Sequence, residues 1–248
     1  MNIPTNRDGD NSPDWTRVSA NPVSEEVHDF LAKTLLARRR RSFDLLHMLR
    51  DYLEDRSVLD IGVVEHDPSH YESDAWRHRH IREWASSLLG IDILESEVQH
   101  LRGRGYNVRT ADATSDADLG QRFERVFIGD VLEHGDAVRM LMFARRHLGK
   151  GGLILATTPN PFFYKFIVRT IRVGTFVANA EHTAWISPSM AVELGRRAGL
   201  ELTTYWLIQP HGHSTVTRFV HRLRDLGLRD SELFTYAFLY VFEPAKVR

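Results

Sequence analysis

Two carboxylates stand at the ends of short apolar runs, and their placement suggests what they hold. Val58-Leu59-Asp60-Ile61-Gly62 and Gly90-Ile91-Asp92 each read as a buried parallel strand that delivers an acid to the carboxyl edge of a sheet. In a nucleoside-binding fold the second acid accepts hydrogen bonds from the ribose hydroxyls. Val126-Phe127-Ile128-Gly129-Asp130 and Leu153-Ile154-Leu155-Ala156-Thr157 repeat the rhythm. The first of these continues into Val131-Leu132-Glu133-His134, which puts two acids and an imidazole at the edge where chemistry occurs in such sheets. A further acid–imidazole pair, Glu181-His182, follows the fifth strand.

The elements that must position these groups follow from periodicity. At 248 residues the chain can bury a full core. Charged residues are 26% and the net charge is −1, so no global field selects nucleic acid or an anionic surface. With no cysteine, disulfides, thiolate metal sites and a cysteine nucleophile are excluded. No run approaches the roughly eighteen apolar residues of a membrane span, and the start lacks a signal-peptide core. The expectation is a soluble cytoplasmic protein with no membrane partner.

Residues 1–22 are polar and read as a mobile tail. Helical spacing of Val27, Phe30, Leu31 and Leu35, then Phe43, Leu46, Leu49 and Leu53, predicts one or two helices in 23–55, ahead of a main domain over 56–248. Arg38-Arg39-Arg40-Arg41 lies inside them and reads as a solvated helix face, with contact to an anionic substrate as the alternative. Seven strands are expected near 57–61, 87–92, 106–110, 124–129, 152–157, 201–207 and 235–242. Helices are expected near 74–86, 94–103, 137–148, 163–172, 188–198 and 216–226. This alternation predicts an α/β fold, a mostly parallel sheet with helices on both faces. The last strand is expected to enter antiparallel at an edge.

Taken in order, these segments resemble the class I S-adenosylmethionine-dependent methyltransferases over about residues 40–242. The resemblance implies a Rossmann-like domain with an N-terminal helical addition. It also implies that S-adenosylmethionine is held by Asp60, Gly62, His66, Asp92, Ile93, Asp112, Ala113 and Gly129. Asp92 would take the ribose, Asp112-Ala113 the adenine, and Gly129 would lie beneath the cofactor. The usual Gly-x-Gly-x-Gly loop is here Gly62-Val63-Val64-Glu65-His66, with one glycine of three. The step from Asp60 to Asp92 is also about ten residues longer than the roughly twenty of a nucleotide-binding unit. Either the cofactor has been lost, or His66, Tyr71 and Trp76 shape a longer variant of the pocket. Survival of every downstream position favours the second. The loop variant and Trp76-Arg77-His78 resemble methyltransferases of glycan-biosynthesis clusters, including mycobacterial-type methylated polysaccharide pathways.

Asp130-x-x-Glu133-His134 resembles the motif of ubiquinone-pathway O-methyltransferases and of enzymes that methylate the terminal ribose of small RNAs, with Asp130 where those have glutamate. That resemblance implies a divalent metal, magnesium or manganese, on Asp130, Glu133, His134 and His182, with His134, Asp130 and His182 catalytic. A Lewis acid would lower the pKa of a poorly nucleophilic hydroxyl. A hydrogen-bonded Glu133–His134 pair with histidine as general base is the metal-free reading. Thr157-Thr158-Pro159-Asn160-Pro161 resembles the acceptor-side turn, with Phe162, Phe163 and Tyr164 as aromatic cover and His211-Gly212-His213 as a further acceptor loop.

The function expected is O-methylation of a sugar or oligosaccharide hydroxyl. Small-molecule or RNA-ribose O-methylation and a non-catalytic cofactor-binding scaffold are the alternatives. The partner expected is the sugar rather than nucleic acid, and the assembly, if any, a homo-oligomer.

Overall fold

The computed structural model describes residues 21–42, 44–65, 67–177, 179–208 and 232–246. The chain divides into two compact units at Arg39/Arg40. The first holds helix α1 (Glu25–Arg38), N-capped by Ser24, whose hydroxyl accepts from the Val27 amide. The second unit carries everything that follows.

Its framework is an eight-stranded sheet of β1 (Arg39–Ser42), β2 (Ser57–Ile61), β3 (Ser87–Asp92), β4 (Val108–Thr110), β5 (Phe123–Gly129), β6 (Leu148–Pro159), β7 (Leu200–Ile208) and β8 (Ala237–Pro244). The spatial order is β1-β7-β8-β6-β5-β2-β3-β4. Strands β2 to β6 pair in parallel, and β8 runs antiparallel to both β6 and β7. The order reverses between β2 and β5. In open α/β sheets that switch point leaves a crevice outside the carboxyl strand ends, and ligands bind there.

Helix α2 (Leu45–Leu53) starts where Asp44 accepts from the His47 amide, and it buries Met48, Leu49 and Leu53. Those side chains join Val58, Phe127, Leu155 and Leu239 in one core cluster. Fully burying two such leucines contributes about 1.5–3 kcal/mol each. So α2, grouped by periodicity with the N-terminal helices, packs on the sheet. Around it come α3 (Arg77–Trp84), α4 (Glu95–Gly103), α5 (Ala137–Arg146), α6 (Tyr164–Val173) and α7 (Pro188–Arg197). Asp136 caps α5, and Ser187 with Pro188 opens α7.

The α/β expectation holds, with differences in detail. The arginine run is not one helix face, because the chain leaves the helix and Arg39–Ser42 becomes a strand. That adds an eighth strand to the seven expected. β8 enters antiparallel as expected, but between β6 and β7 rather than at an edge. Among the described residues, no helix is long and apolar enough to cross a membrane. The tail over residues 1–20, His66, the helix expected at 216–226 and His211-Gly212-His213 lie outside the described residues.

Candidate functional site

The loop that lacks its glycines is built around a small core of its own. Gly62 has φ +82°, and a Cβ there would overlap Cγ2 of Val131, so the first glycine is required. Beyond it Val63 turns inward with Tyr71, Trp76, Val98, Leu101 and Val108. Tyr71 and Trp76 meet edge to face at 4.8 Å, and the Trp76 indole N–H donates to the Val63 carbonyl at 2.9 Å. Tyr71 and Trp76, from the longer connection, therefore pack beneath the loop, while Asp67, Ser69, His70 and Glu72 stay exposed.

Three consecutive residues at the start of α3 reach three different strand ends. Trp76 holds the loop. Arg77 donates to the Thr157 hydroxyl at the end of β6 (2.9 Å) and pairs closely with the Asp130 carboxylate after β5. His78 is hydrogen-bonded through Nδ1 to Asp60 Oδ2 at 2.7 Å, with both groups almost fully buried. Gly90 makes room for that imidazole, since a Cβ at Gly90 would lie 2.7 Å from His78 Cε1. Register places Asp60 beside Gly90 on β3 and Phe127 on β5, at the switch point.

A cavity of about 530 Å³, within the usual range for small-molecule sites, opens between these strand ends. Asp60, Gly62, Arg77, Asp92, Gly129 and Asp130 are among its lining residues. The Asp92 carboxylate accepts from the Val64 amide (3.1 Å) and the Leu94 amide (3.1 Å), which fixes its orientation while leaving lone pairs for a ligand. Ile93 flanks it, largely exposed. A second hollow of about 410 Å³ shares Gly62, Asp92, Ile93, Val131 and His134, and extends to Asp112, Ala113 and Met140. Asp112 accepts from the amide and hydroxyl of Thr114, each at 2.7 Å, and these bonds hold its carboxyl below the usual range.

At the other end of the first cavity a 3-10 turn, Leu132–His134, follows Asp130, whose φ is +57°. An aspartate tolerates that left-handed conformation better than a bulkier residue. The turn puts the Glu133 side chain in the interior, 0% exposed, and neither carboxylate oxygen has a hydrogen-bond partner within bonding geometry among the described residues, the buried Thr158 hydroxyl having only a smaller influence on it. Burial first, and then the negative Asp130, push its carboxyl up to about 7. The Glu133 carbonyl accepts from the amides of Thr183 (2.9 Å) and Ala184 (3.2 Å) and from the Thr183 hydroxyl (3.1 Å). Those bonds lay the 181–184 strap against the turn. The His134 and His182 rings therefore meet at 4.9 Å, and one ligand atom from each of Glu133, His134 and His182 fits within a span of 4.8 Å. Glu181 Oε2 lies 4.0 Å from His134 Nδ1.

Three of the four residues expected to bind metal thus come together. Asp130 does not join them. Its carboxylate is taken by Arg77, which holds it ionised against the burial that would raise its pKa. Arg77 is the residue that sequence reasoning left without a role. It stands 53 positions before Asp130, and its only signal was its place between Trp76 and His78. The cofactor positions Asp60, Gly62, Asp92, Ile93, Asp112, Ala113 and Gly129 all line the two hollows. On the acceptor-side turn, Asn160 is buried and donates to the Glu232 and Thr235 carbonyls, so it ties two segments together. Phe163 is buried and Phe162 exposed.

No protein-family model and no curated protein matches the sequence. Solved structures do match. An S-adenosylmethionine-dependent methyltransferase from Mesorhizobium loti is 16% identical over 79% of this chain and 94% of its own, with a TM-score of 0.50. The CcbJ methyltransferase of Streptomyces caelestis is 14% identical over 81% and 88%, with a TM-score of 0.54. A methyltransferase dependent on the same cofactor from Archaeoglobus fulgidus is 16% identical over 92% and 98%, with a TM-score of 0.52. At such identities the likeness is one of fold. The chain has the Rossmann-like fold of class I methyltransferases.

Proposed function

We propose that this protein is an S-adenosylmethionine-dependent O-methyltransferase that acts on a sugar or oligosaccharide hydroxyl with the help of a divalent cation. The observation that carries the reading is the convergence of Glu133, His134 and His182 beside the cavity that Asp60, Asp92 and Gly129 line. Asp92 would accept the two ribose hydroxyls, and the hollow at Asp112-Ala113 would take the adenine. The methionine end would then run toward Gly62 and Asp60, beneath the Val131–His134 turn.

The residues present fit a cation. A buried carboxylate with two unpartnered oxygens next to two imidazoles is a costly arrangement by itself, and a bound cation would offset that cost. One oxygen and two nitrogen donors suit manganese, iron, cobalt or zinc better than magnesium. Three protein ligands also leave positions open for an acceptor. Such an ion would supply Lewis acidity, lowering the pKa of the acceptor hydroxyl. Arg77 keeps Asp130 ionised and out of the ligand set. The acceptor oxygen then bonds to the methyl carbon as the carbon–sulfur bond breaks. The thioether leaves with the electron pair, and the hydroxyl proton passes to solvent. Holding the two reactants in line is the main contribution asked of the protein. A sugar is favoured because neighbouring hydroxyls can present two oxygens to one cation, and because of the resemblance of the Gly62–His78 segment to enzymes of glycan clusters.

The test is transfer of a labelled methyl group to a panel of sugars, catechols and RNA oligonucleotides, before and after exhaustive chelation. Turnover on a sugar that chelation abolishes, with binding of S-adenosylhomocysteine retained, is the expected result. Full activity after chelation would remove the cation and leave His134 as general base. Methylation of catechols or RNA and of no sugar would overturn the acceptor class.

A further inference from the structure

Helix α6 has no buried residue, although it follows a turn after β6 in which Asn160 and Phe163 are buried. Of the fifteen exposed large hydrophobics among the described residues, seven fall between Phe162 and Val177. On the helix, Val168 is 52% exposed and Ile171 is 77% exposed, with Ile167 beside them at helical spacing. Lys165, Arg169 and Arg172 flank this stripe on the same outward side, all exposed. The inward side is narrow. Phe166 meets Phe176 and Trp185 at 6.2 Å each, and Thr170 returns its hydroxyl to the Phe166 carbonyl. From Asn160 to Ala180 the sequence has three cations and no acid, in a chain whose net charge is −1. A left-handed Gly174 then ends the helix.

We infer that α6 is a docking face for an anionic lipid surface, on which the helix lies flat with Ile167, Val168 and Ile171 entering the acyl boundary. A basic helix with an aliphatic stripe is the form that binds in the interfacial plane of a membrane. Protein interfaces have a core depleted in charge and rich in aromatic anchors, whereas here the centre is aliphatic and three cations with no acid stand directly beside it. Long cationic stems let the charges reach lipid headgroups while their methylenes cover apolar surface. The inference departs from the expectation of no membrane partner, which rested on the net charge of the whole chain and on the lack of a spanning run or signal-peptide core, whereas the charge on this face is local. It is also independent of the proposed reaction. It bears on that reaction through the chain, because α6 and the segment after it lead directly to His182.

The experiment is co-sedimentation of the full chain with vesicles of phosphatidylcholine alone, and of phosphatidylcholine mixed with phosphatidylglycerol, at low and high salt. Binding should require the anionic lipid and weaken with salt. Val168→Glu with Ile171→Glu should reduce it more than about tenfold, and so should Lys165→Gln with Arg169→Gln and Arg172→Gln. All five side chains are exposed, so the melting temperature should stay unchanged in both variants. Absence of binding to anionic vesicles at low salt would overturn the inference. So would binding that the double glutamate variant retains. A concentration-dependent dimer that this variant disperses, without vesicle binding, would give the face to a second copy of the chain instead.

Discussion

Replacing Glu133 by glutamine should stabilise the protein in the absence of divalent cations, and should do so only above the pH at which an ordinary carboxylate ionises. The side chain is fully buried, its oxygens lack partners among the described residues, and burial and Asp130 raise its pKa from 4.5 to about 7. The folded chain therefore keeps the proton over a range in which the unfolded chain has lost it. Below pH 4.5 both states are protonated, and the carboxyl makes no demand. As pH rises to about 7 the native state binds more protons than the unfolded state, so stability falls with pH, and above about 7 the loss is complete. A shift from 4.5 to about 7 corresponds to about 3 kcal/mol at 1.36 kcal/mol per unit.

Glutamine has nearly the same shape and does not ionise. In chelator, the stability of Glu133→Gln relative to the native chain should be near zero at pH 4.5 and grow to about 3 kcal/mol by pH 8. In melting temperature that is roughly 6–12 °C for a chain of this size. Denaturant or calorimetric unfolding at several pH values reads it directly. Two pH profiles that run parallel would refute the reasoning, because they would mean that Glu133 ionises with little penalty. Added manganese supplies the complementary result. The native chain should gain about 2.7 kcal/mol at a cation concentration one hundred times its dissociation constant, while the glutamine variant gains far less.

Other perturbations test the remaining parts. Asp92→Ala should weaken binding of S-adenosylhomocysteine by about 2–3 kcal/mol, the scale of hydrogen bonds to a charged acceptor, and unchanged calorimetric affinity would remove Asp92 from the ribose site. Gly62→Ala should lower stability by about 1–2 kcal/mol through its positive φ, beyond the overlap with Val131, so adding Val131→Ala should restore the stability only in part. His182→Ala should lower manganese affinity by at least about tenfold, read by titration, and leave S-adenosylhomocysteine binding unchanged. An equal loss of both would mean that the 181–184 strap collapses.

Much of this framework could be read from residues alone, for a physical reason. A buried parallel strand must be apolar along its length and can be polar only where it ends, so Asp60, Asp92 and Gly129 announce both the strand and its functional edge. What could not be read depends on pairings distant in sequence. Nothing in Ala237–Pro244 states that it enters between β6 and β7, and a run of arginines carries no alternation to mark β1. The same limit explains Asp130. Its spacing to Glu133 and His134 invites a common ligand role, but Arg77 reaches it from a helix that begins before β3. His182 was within reach of sequence reasoning as an imidazole on a loop. The carbonyl of Glu133 that draws its strap inward was not.

The missing glycines are best understood through the same long-range contacts. A glycine-rich loop brings backbone close to a ligand because it has no side chains to place. Here the Val63 side chain is taken below the loop into a packed cluster with Tyr71 and Trp76, while Val64 and Glu65 line the cavity. The Val64 amide remains directed at the Asp92 carboxylate. Trp76, Arg77 and His78 then bind the loop, the β5 and β6 ends and the β2 end in turn. Such an arrangement fixes the strand ends relative to one another through one short helix, and so preorganises the cavity before any ligand arrives. The cost is a demand for several specific side chains where a common loop needs only small ones. A change at Trp76 should accordingly loosen the whole rim, while a change at the exposed Glu72 or Asp74 should leave it intact.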